Sequence, residues 1–150
     1  MSLAIVYTRA ALGIEAPLIT VEVHLSNGLP GLTMVGLPET TVKEARDRVR
    51  SALINSGYAF PAKKITINLA PADLPKEGGR YDLPIALALL VASEQLNTTR
   101  LNQYEFVGEL ALTGGLRGVP GAIPSAMEAI KAGRRIVVSS DNAAEVGLIG

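Results

Sequence analysis

Apolar and polar residues alternate in the first half of the chain, as they do in strands that bury one face. The alternation runs through Ile19–Leu25 and again through Lys64–Leu69, and we predict an earlier strand at Leu3–Thr8. Ser26-Asn27-Gly28 has the residues of a turn. We therefore predict that Gly31–Val35 is the strand that returns from Ile19–Leu25.

In the next segment the apolar residues recur with the period of an α-helix. One face of this predicted helix carries only apolar residues, which are Val42, Ala45, Val49, Ala52 and Leu53. Thr40 or Thr41 is expected to cap the helix, with Glu44 completing a capping box, and Gly57 is expected to end it. The opposite face carries Lys43, Glu44, Arg46, Asp47, Arg48 and Arg50. We expect that charged face to be solvated and to pair oppositely charged residues four apart.

A second helix is predicted at Leu83–Ala92, where every residue is apolar. A helix that is apolar on all faces should be buried on most sides. Asp82 is expected to cap it. Further along, Gly114-Gly115 is the best two-residue hairpin signal in the chain, between extended segments at Tyr104–Leu112 and Leu116–Val119.

The last part of the chain continues the irregular order of helices and strands. We predict a helix at Ala122–Ala132 that ends at Gly133, a short strand at Arg135–Ser139, and a further helix starting within Asn142–Ile149. No end of that helix is visible, so we expect residues 1–150 to be one domain cut from a longer protein. Irregular interleaving with a hairpin predicts an α+β or mixed α/β fold.

Composition narrows the functional classes. Hydrophobic residues make up 48% of the 150 residues, enough for a packed core and too many for a disordered chain. Fourteen basic residues balance fourteen acidic ones, so the net charge does not argue for or against nucleic acid. The lack of cysteine excludes disulfides and thiol nucleophiles. The first residues do not resemble a secretory signal, and Leu83–Ala92 is too short to span a membrane. We therefore expect a soluble cytoplasmic protein without a membrane partner.

Two kinds of small-ligand site can be weighed from the residues alone. Gly78-Gly79 could offer backbone donors to a phosphate, but the full spacing of a phosphate loop is absent and Asp82 would repel the anion. A phosphate- or nucleotide-binding module stays open as an alternative. His24, the only histidine, lies on a polar strand face, and the scattered acids Asp73, Glu77 and Asp82 could hold Mg²⁺ only through water. We expect no metal site and no cofactor in this segment.

Three runs of the sequence resemble a known family. They are GLPGLTMVGLPETTVKEARDRVRSAL, KKITINLAPADLPKEGGRYDLPIALALL and VGELALTGGLRGVPG. On these runs the chain is identified as the amino-terminal domain of a magnesium-chelatase-like AAA+ ATPase, a family that includes a DNA-dependent helicase promoting branch migration in natural transformation. The resemblance implies that ATP and Mg²⁺ bind in a downstream module outside these residues. It also implies self-association in a ring, a hexamer of the full-length protein.

The resemblance further implies the fold of the Lon protease domain, a relative of the second domain of ribosomal protein S5. In Lon, the loop resembling Pro75–Leu83 carries a nucleophilic serine, and a lysine base lies near the start of a later helix. Those two positions fall at Arg80 and Ile123 here. Arginine has only donors and isoleucine has no exchangeable proton, so the resemblance implies a domain without protease chemistry. A peptidase that uses a displaced nucleophile, such as Ser93 or Ser125, remains a remote alternative.

The loop before the second helix and nearby basic segments are the candidate contact surface. The candidate DNA or partner contacts are Arg46, Arg50, Lys63, Lys64, Lys76, Gly78, Gly79, Arg80 and Tyr81. If these segments meet, they form a local basic patch, extended by Arg48, that suits a phosphate backbone. Tyr81 is the aromatic residue placed to stack on a base. The alternatives are a solvated charged surface and a contact between ring subunits. The sequence thus predicts a non-catalytic accessory domain that assists ring assembly, DNA contact or both.

Overall fold

The computed structural model describes residues 2–74, 76, 78–97 and 100–147. Its elements in chain order are β1 (Ser2–Arg9), β2 (Leu18–Ser26), β3 (Gly31–Val35), α1 (Glu39–Asn55), β4 (Lys64–Ala70), α2 (Asp82–Ala92), β5 (Tyr104–Phe106), β6 (Glu109–Leu110), β7 (Leu116–Arg117), α3 (Ala122–Lys131), β8 (Arg135–Val137) and α4 (Ser140–Gly147). Within these described ranges, none of the helices combines the length and the apolar character that crossing a membrane requires.

Six of the strands form one sheet in the order β3-β4-β2-β1-β5-β8. β2 is antiparallel to both β1 and β4. The other three pairs, β3 with β4, β1 with β5 and β5 with β8, are parallel. This mixed sheet with its helices confirms the mixed α/β class that the interleaved pattern predicts.

Gly31–Val35 is a strand, but the prediction that it returns along β2 is wrong. β3 pairs in parallel with β4, and β4 lies between β2 and β3. Parallel neighbours need a crossover connection, and α1 provides it here. The turn residues after β2 permit the chain to reverse, but they do not decide which strand becomes the neighbour.

α1 begins earlier than its threonines suggest. It starts directly after Pro38, so Thr40 and Thr41 lie inside its first turn, and no side chain caps it. The predicted capping box with Glu44 is therefore wrong, because a cap residue must precede the helix. The predicted end is confirmed: Gly57 follows the helix with φ of +89°, the left-handed conformation that glycine adopts at little cost.

The core lies between the sheet and α2. α2 packs on β1 and β2, and eight of its eleven residues are buried. It meets fully buried strand residues such as Val6, Val21 and Ile67. The expectation of a helix buried on most sides is confirmed. α1 packs on α2 through Ala45, Val49, Ala52 and Leu53, the predicted apolar face.

β6 and β7 form a small separate hairpin at the predicted Gly114-Gly115. Its connection is residues 111–115, longer than the two-residue turn that the glycine pair suggests. Tyr104–Phe106 belongs to the large sheet instead, because it pairs with β1 and β8. α3 is followed by Gly133 with φ of +79°, as predicted. The last predicted position, Ile149, lies outside the described residues.

Candidate functional site

Arg80 lies in the turn that leads into α2, at the position that the resemblance aligns with the Lon serine. The residue is only 4% exposed. Its guanidinium donates from Nε to the carbonyl oxygen of Arg9 at 2.9 Å. It also donates from Nη1 to the carbonyl oxygen of Pro120 and from Nη2 to the Oγ of Ser125, both at 2.7 Å. Arg80 thus ties the end of β1 to the beginning of α3.

The positive charge of Arg80 has only neutral acceptors around it. No ion pair joins it to a carboxylate within the described ranges. Burial lowers the pKa of Arg80, although an arginine in a protein stays protonated. Its partners Pro120 and Ser125 flank Ile123, the position aligned with the Lon lysine. The two aligned positions are therefore neighbours in space, and they hold a guanidinium and a hydrocarbon.

Among the residues that the structure describes, no base lies beside either of the two serines weighed as displaced nucleophiles. Ser125 is fully buried and accepts the hydrogen bond from Arg80. The Ser93 hydroxyl donates to the carbonyl oxygen of Leu89 at 2.7 Å and accepts from the side-chain amide of Gln95 at 2.9 Å. A nucleophilic serine needs a proton acceptor within hydrogen-bond reach, and neither hydroxyl has a lysine there.

Lys76 turns inward. It is 4% exposed, and its Nζ donates to the carbonyl oxygens of Pro71 and Leu74. Burial lowers the pKa of Lys76. The expectation that Lys76 and Arg80 present charge on an exposed loop is therefore wrong, because both side chains are buried and donate to backbone carbonyl oxygens. Pro75 and Glu77, on either side of Lys76, lie outside the described residues.

The glycine pair and Tyr81 do not form an open platform. Gly78 is exposed with φ of +79°, but Gly79 is buried. A Cβ on Gly79 would collide with the side chain of Glu109, so a carboxylate covers the place where a phosphate would approach. This arrangement disfavours the phosphate-binding alternative. Tyr81 is 2% exposed and belongs to the core, so the expectation that it stacks on a base is wrong.

Three of the candidate cations do meet on one surface. Arg46 and Arg50 of α1 and Lys63, just before β4, line a groove of about 600 Å³. We call this the basic groove; its apolar walls include Leu32, Ile54 and Phe60. All three cations are exposed, and the one acid that lines the groove is Asp47, 3.7 Å from Arg46.

Lys64 does not line the basic groove. Its side chain lies over Gly28, on the other side of β4 from the buried Ile65. The structure therefore divides the nine candidate residues into the basic groove, the separate Lys64, and the inward-facing turn before α2.

Sequence reasoning missed the role of Arg48. It was expected on a solvated face, and it does lie 3.7 Å from Glu44. Its stronger partner is the fully buried Asp82, with Nε–Oδ2 at 2.6 Å and Nη2–Oδ1 at 3.2 Å. The Asp82 Oδ2 also accepts the Leu110 N–H at 3.1 Å. Asp82 therefore joins α1, α2 and β6, and the prediction that it caps α2 is wrong because its oxygens already have these partners.

The pKa values of Asp82 and Arg48 are both raised, for different reasons. Burial raises the pKa of Asp82 to about 6, although Arg48 and the Leu110 N–H oppose the shift. The hydrogen bond to Asp82 raises the pKa of Arg48. Glu109, close by, further raises the pKa of Asp82.

A second buried carboxylate, Glu105 of β5, was also missed. It is fully buried and pairs with Arg9 at 2.7 Å and Arg134 at 3.0 Å. The Arg134 guanidinium lies 4.1 Å from the centre of the Tyr7 ring. The sequence signal was a lone acidic residue within an apolar segment. A buried acidic residue is stable only when it is paired.

The described residues contain no group of three or more His, Asp or Glu placed to hold a metal ion. His24 is half-buried, and its Nε2 has no hydrogen-bond partner there. Asp82, one of the acids weighed for Mg²⁺, is committed to Arg48. Glu77, another, lies outside the described residues.

The mixed sheet and the buried helix α2 define a mixed α/β domain that contains buried ion pairs. A family model described as subunit ChlI of Mg-chelatase matches residues 21–142, and the chain belongs to that family. The identification as magnesium-chelatase-like is therefore confirmed.

The chain aligns with close relatives over nearly its full length. It is 83% identical to the YifB protein of Salmonella typhimurium and 80% identical to that of Escherichia coli, over 99% of its length in each case. It is 64% identical to the competence protein ComM of Haemophilus influenzae, again over 99% of the chain. The chain spans 29% of the length of each of these three relatives.

Proposed function

We propose that this chain is a non-catalytic accessory domain of a ComM-like ATPase and that its basic groove contacts DNA. The observation that carries the first half is Arg80. A buried guanidinium that donates three hydrogen bonds fills the turn before α2 and reaches the start of α3. In a domain with a Lon-like fold, which we propose on the sequence resemblance, this is where the serine and lysine would meet.

The basic groove supports the second half of the proposal. Three exposed cations face one aspartate there, so the groove is locally positive although the whole chain is neutral. Exposed lysine and arginine side chains are the groups that contact a phosphate backbone without reading its sequence. Phe60, in the wall of the groove, adds an aromatic surface. The neighbouring Ile54 and Leu32 make the groove amphipathic.

The rest of the proposal concerns the longer protein. The relatives are more than three times as long as the segment they share with this chain, because the match covers 29% of each. We propose that the remaining part holds the ATP- and Mg²⁺-binding module and the ring contacts of a cytoplasmic DNA helicase that promotes branch migration. This domain would guide DNA toward that motor.

Fluorescence anisotropy with labelled single-stranded and duplex DNA tests the groove. Replacing Arg46, Arg50 and Lys63 with alanine should weaken binding about tenfold or more at low salt. It should also reduce the salt slope by about one for each cation that contacts a phosphate. The measurement compares log Kd against log salt for the wild type and the variant.

A matched control removes the same charge elsewhere. Arg117, Lys131 and Arg135 are exposed and do not line the basic groove. Their replacement by alanine should leave both affinity and salt slope close to the wild-type values. Equal losses in the two triple variants, or no binding by the wild type at low salt, would refute the DNA role and leave a protein contact as the role of the groove.

A further inference from the structure

A second cavity lies beside Arg80. It has a volume of about 430 Å³, within the range of small-molecule sites. We call it the Arg80 cleft; its walls include Ala11, Leu12, Gly79, Arg80, Glu109 and Pro120. It is distinct from the basic groove, and the two share no lining residue.

Arg80 keeps donor capacity toward this cleft. A guanidinium has five N–H groups, and Arg80 uses one on each nitrogen for its three hydrogen bonds. One N–H on Nη1 and one on Nη2 are left without an acceptor within the described ranges. Arg80 is 96% buried and meets no anion among the residues that the structure describes. Such a charge is costly unless an anion completes its environment.

The opposite charge lines the same cleft. The side chain of Glu109 on β6 is half-buried, and no side-chain hydrogen bond or ion pair joins it to a residue that the structure describes. Its neighbour across the β6–β7 pair is Arg117, and the charge of Glu109 helps to raise the pKa of Arg48. Its side chain lies against Gly79, where a larger residue would displace it. Although Arg80 and Glu109 line the same cleft, no ion pair joins the two side chains.

The remaining walls of the cleft are neutral. The N–H groups of Gly118 and Val119 already donate to Asp141 at 3.1 Å and Asn142 at 2.8 Å. Ala11, Leu12 and Pro120 offer apolar surface. The charged groups that line the cleft are therefore one cation and one carboxylate, and neither forms an ion pair within the described ranges.

We propose that the Arg80 cleft binds a small zwitterionic ligand that carries a carboxylate and a protonated amine, as a free amino acid or short peptide does. The carboxylate accepts from the two remaining N–H groups of Arg80, and the amine donates to Glu109. An arginine presents paired N–H groups that match a carboxylate. A phosphate is disfavoured, because the Glu109 carboxylate would lie beside it.

Isothermal titration of the 150-residue chain tests this with defined probes: glycine, diglycine and triglycine as zwitterions, N-acetylglycine as carboxylate alone, glycinamide as amine alone, and inorganic phosphate. At least one zwitterion should bind, and at least about tenfold more tightly than the single-charge probes and phosphate. Failure of all three zwitterions to bind, or tighter binding of phosphate, would overturn the proposal.

Two variants locate the site without disturbing Arg80. Ala11→Phe fills the cleft from an exposed position and should abolish zwitterion binding. Ala132→Phe, at the far end of α3, is the matched control and should bind as the wild type does. Glu109→Gln should weaken the zwitterion about tenfold, whereas N-acetylglycine should bind as well as before or more tightly, because the variant removes a like charge beside its carboxylate. Binding that survives Ala11→Phe would place the ligand elsewhere and contradict the proposal.

Discussion

The ion pair between Arg48 and Asp82 makes the most direct test of how this fold is held together. We expect Arg48→Ala to destabilise the chain because it leaves the Asp82 carboxylate buried without its bidentate partner. Asp82 is fully buried, and breaking such a pair by removing one member costs about 3 to 5 kcal/mol. In the variant Asp82 keeps one hydrogen bond, because its Oδ2 still accepts from the Leu110 N–H.

The loss of stability caused by Arg48→Ala should depend on pH, in a direction that follows from the raised pKa of Asp82. The folded pKa of Asp82 is about 6, against an ordinary value of 3.8. A carboxyl with a raised folded pKa binds more protons in the folded state, so its contribution to stability is lost as the pH rises from about 4 through the folded pKa. Removing Arg48 raises the Asp82 pKa further, at about 1.4 kcal/mol for each pKa unit. The deficit of the variant should therefore be largest above pH ~7 and shrink toward pH ~5.

Urea unfolding followed by far-UV circular dichroism measures this at several pH values, since the chain has no tryptophan to report by fluorescence. Arg46→Ala is the matched control: Arg46 lies two residues before Arg48 on α1, is exposed, and pairs with Asp47 at 3.7 Å. That control should cost less than about 0.5 kcal/mol at any pH. Adding Asp82→Asn to Arg48→Ala should restore part of the lost stability. Equal costs for Arg48→Ala and Arg46→Ala above neutral pH, or a cost that does not shrink on acidification, would refute the reasoning.

Three further substitutions test a close glycine contact, a buried counter-charge and a core side chain. Gly36→Ala should destabilise the chain by about 3 kcal/mol or more, because φ is +98° and a Cβ would collide with the Leu69 carbonyl. Gly133→Ala is the control and should cost about 1 kcal/mol, because its φ is +79° but a Cβ there would meet open space. Urea unfolding compares the two variants. Glu105→Gln should cost about 3 kcal/mol or more, because two arginines would lose their buried counter-charge, and thermal unfolding would reveal it as a lower Tm. Leu89→Ala should cost about 2 to 5 kcal/mol by the same urea assay, because the side chain is fully buried; a loss below about 1 kcal/mol would contradict its place in the core.

Much of the fold followed from local patterns. Alternation located β2 and β4, and helical periodicity located α1 and its buried face, because these signals depend only on neighbours along the chain. The partner of β3 did not follow, since strand pairing depends on where α1 returns the chain. The start of α1 was also missed, because a proline can precede a helix without a capping side chain.

The candidate site was less predictable than the fold. Charge and glycine at residues 76–80 predicted an exposed basic loop, yet Lys76 and Arg80 are buried on backbone carbonyls. Arg46, Arg50 and Lys63 could be named from the sequence, but their meeting in the basic groove depends on β4 lying beside the end of α1. Glu105 was the one missed residue with a visible signal, as an acid within an apolar segment.

The amino-acid sequence by itself determined which segments extend or coil, which helix is buried, and to which family the chain belongs. Those properties reside in periodicity and in long runs of shared residues. Only the tertiary structure decided which charges face inward. The sequence does not distinguish a lysine or arginine that extends into water from one that donates to a buried carbonyl. Which of the two occurs depends on which oxygens the folded backbone brings within about 3 Å of the side chain.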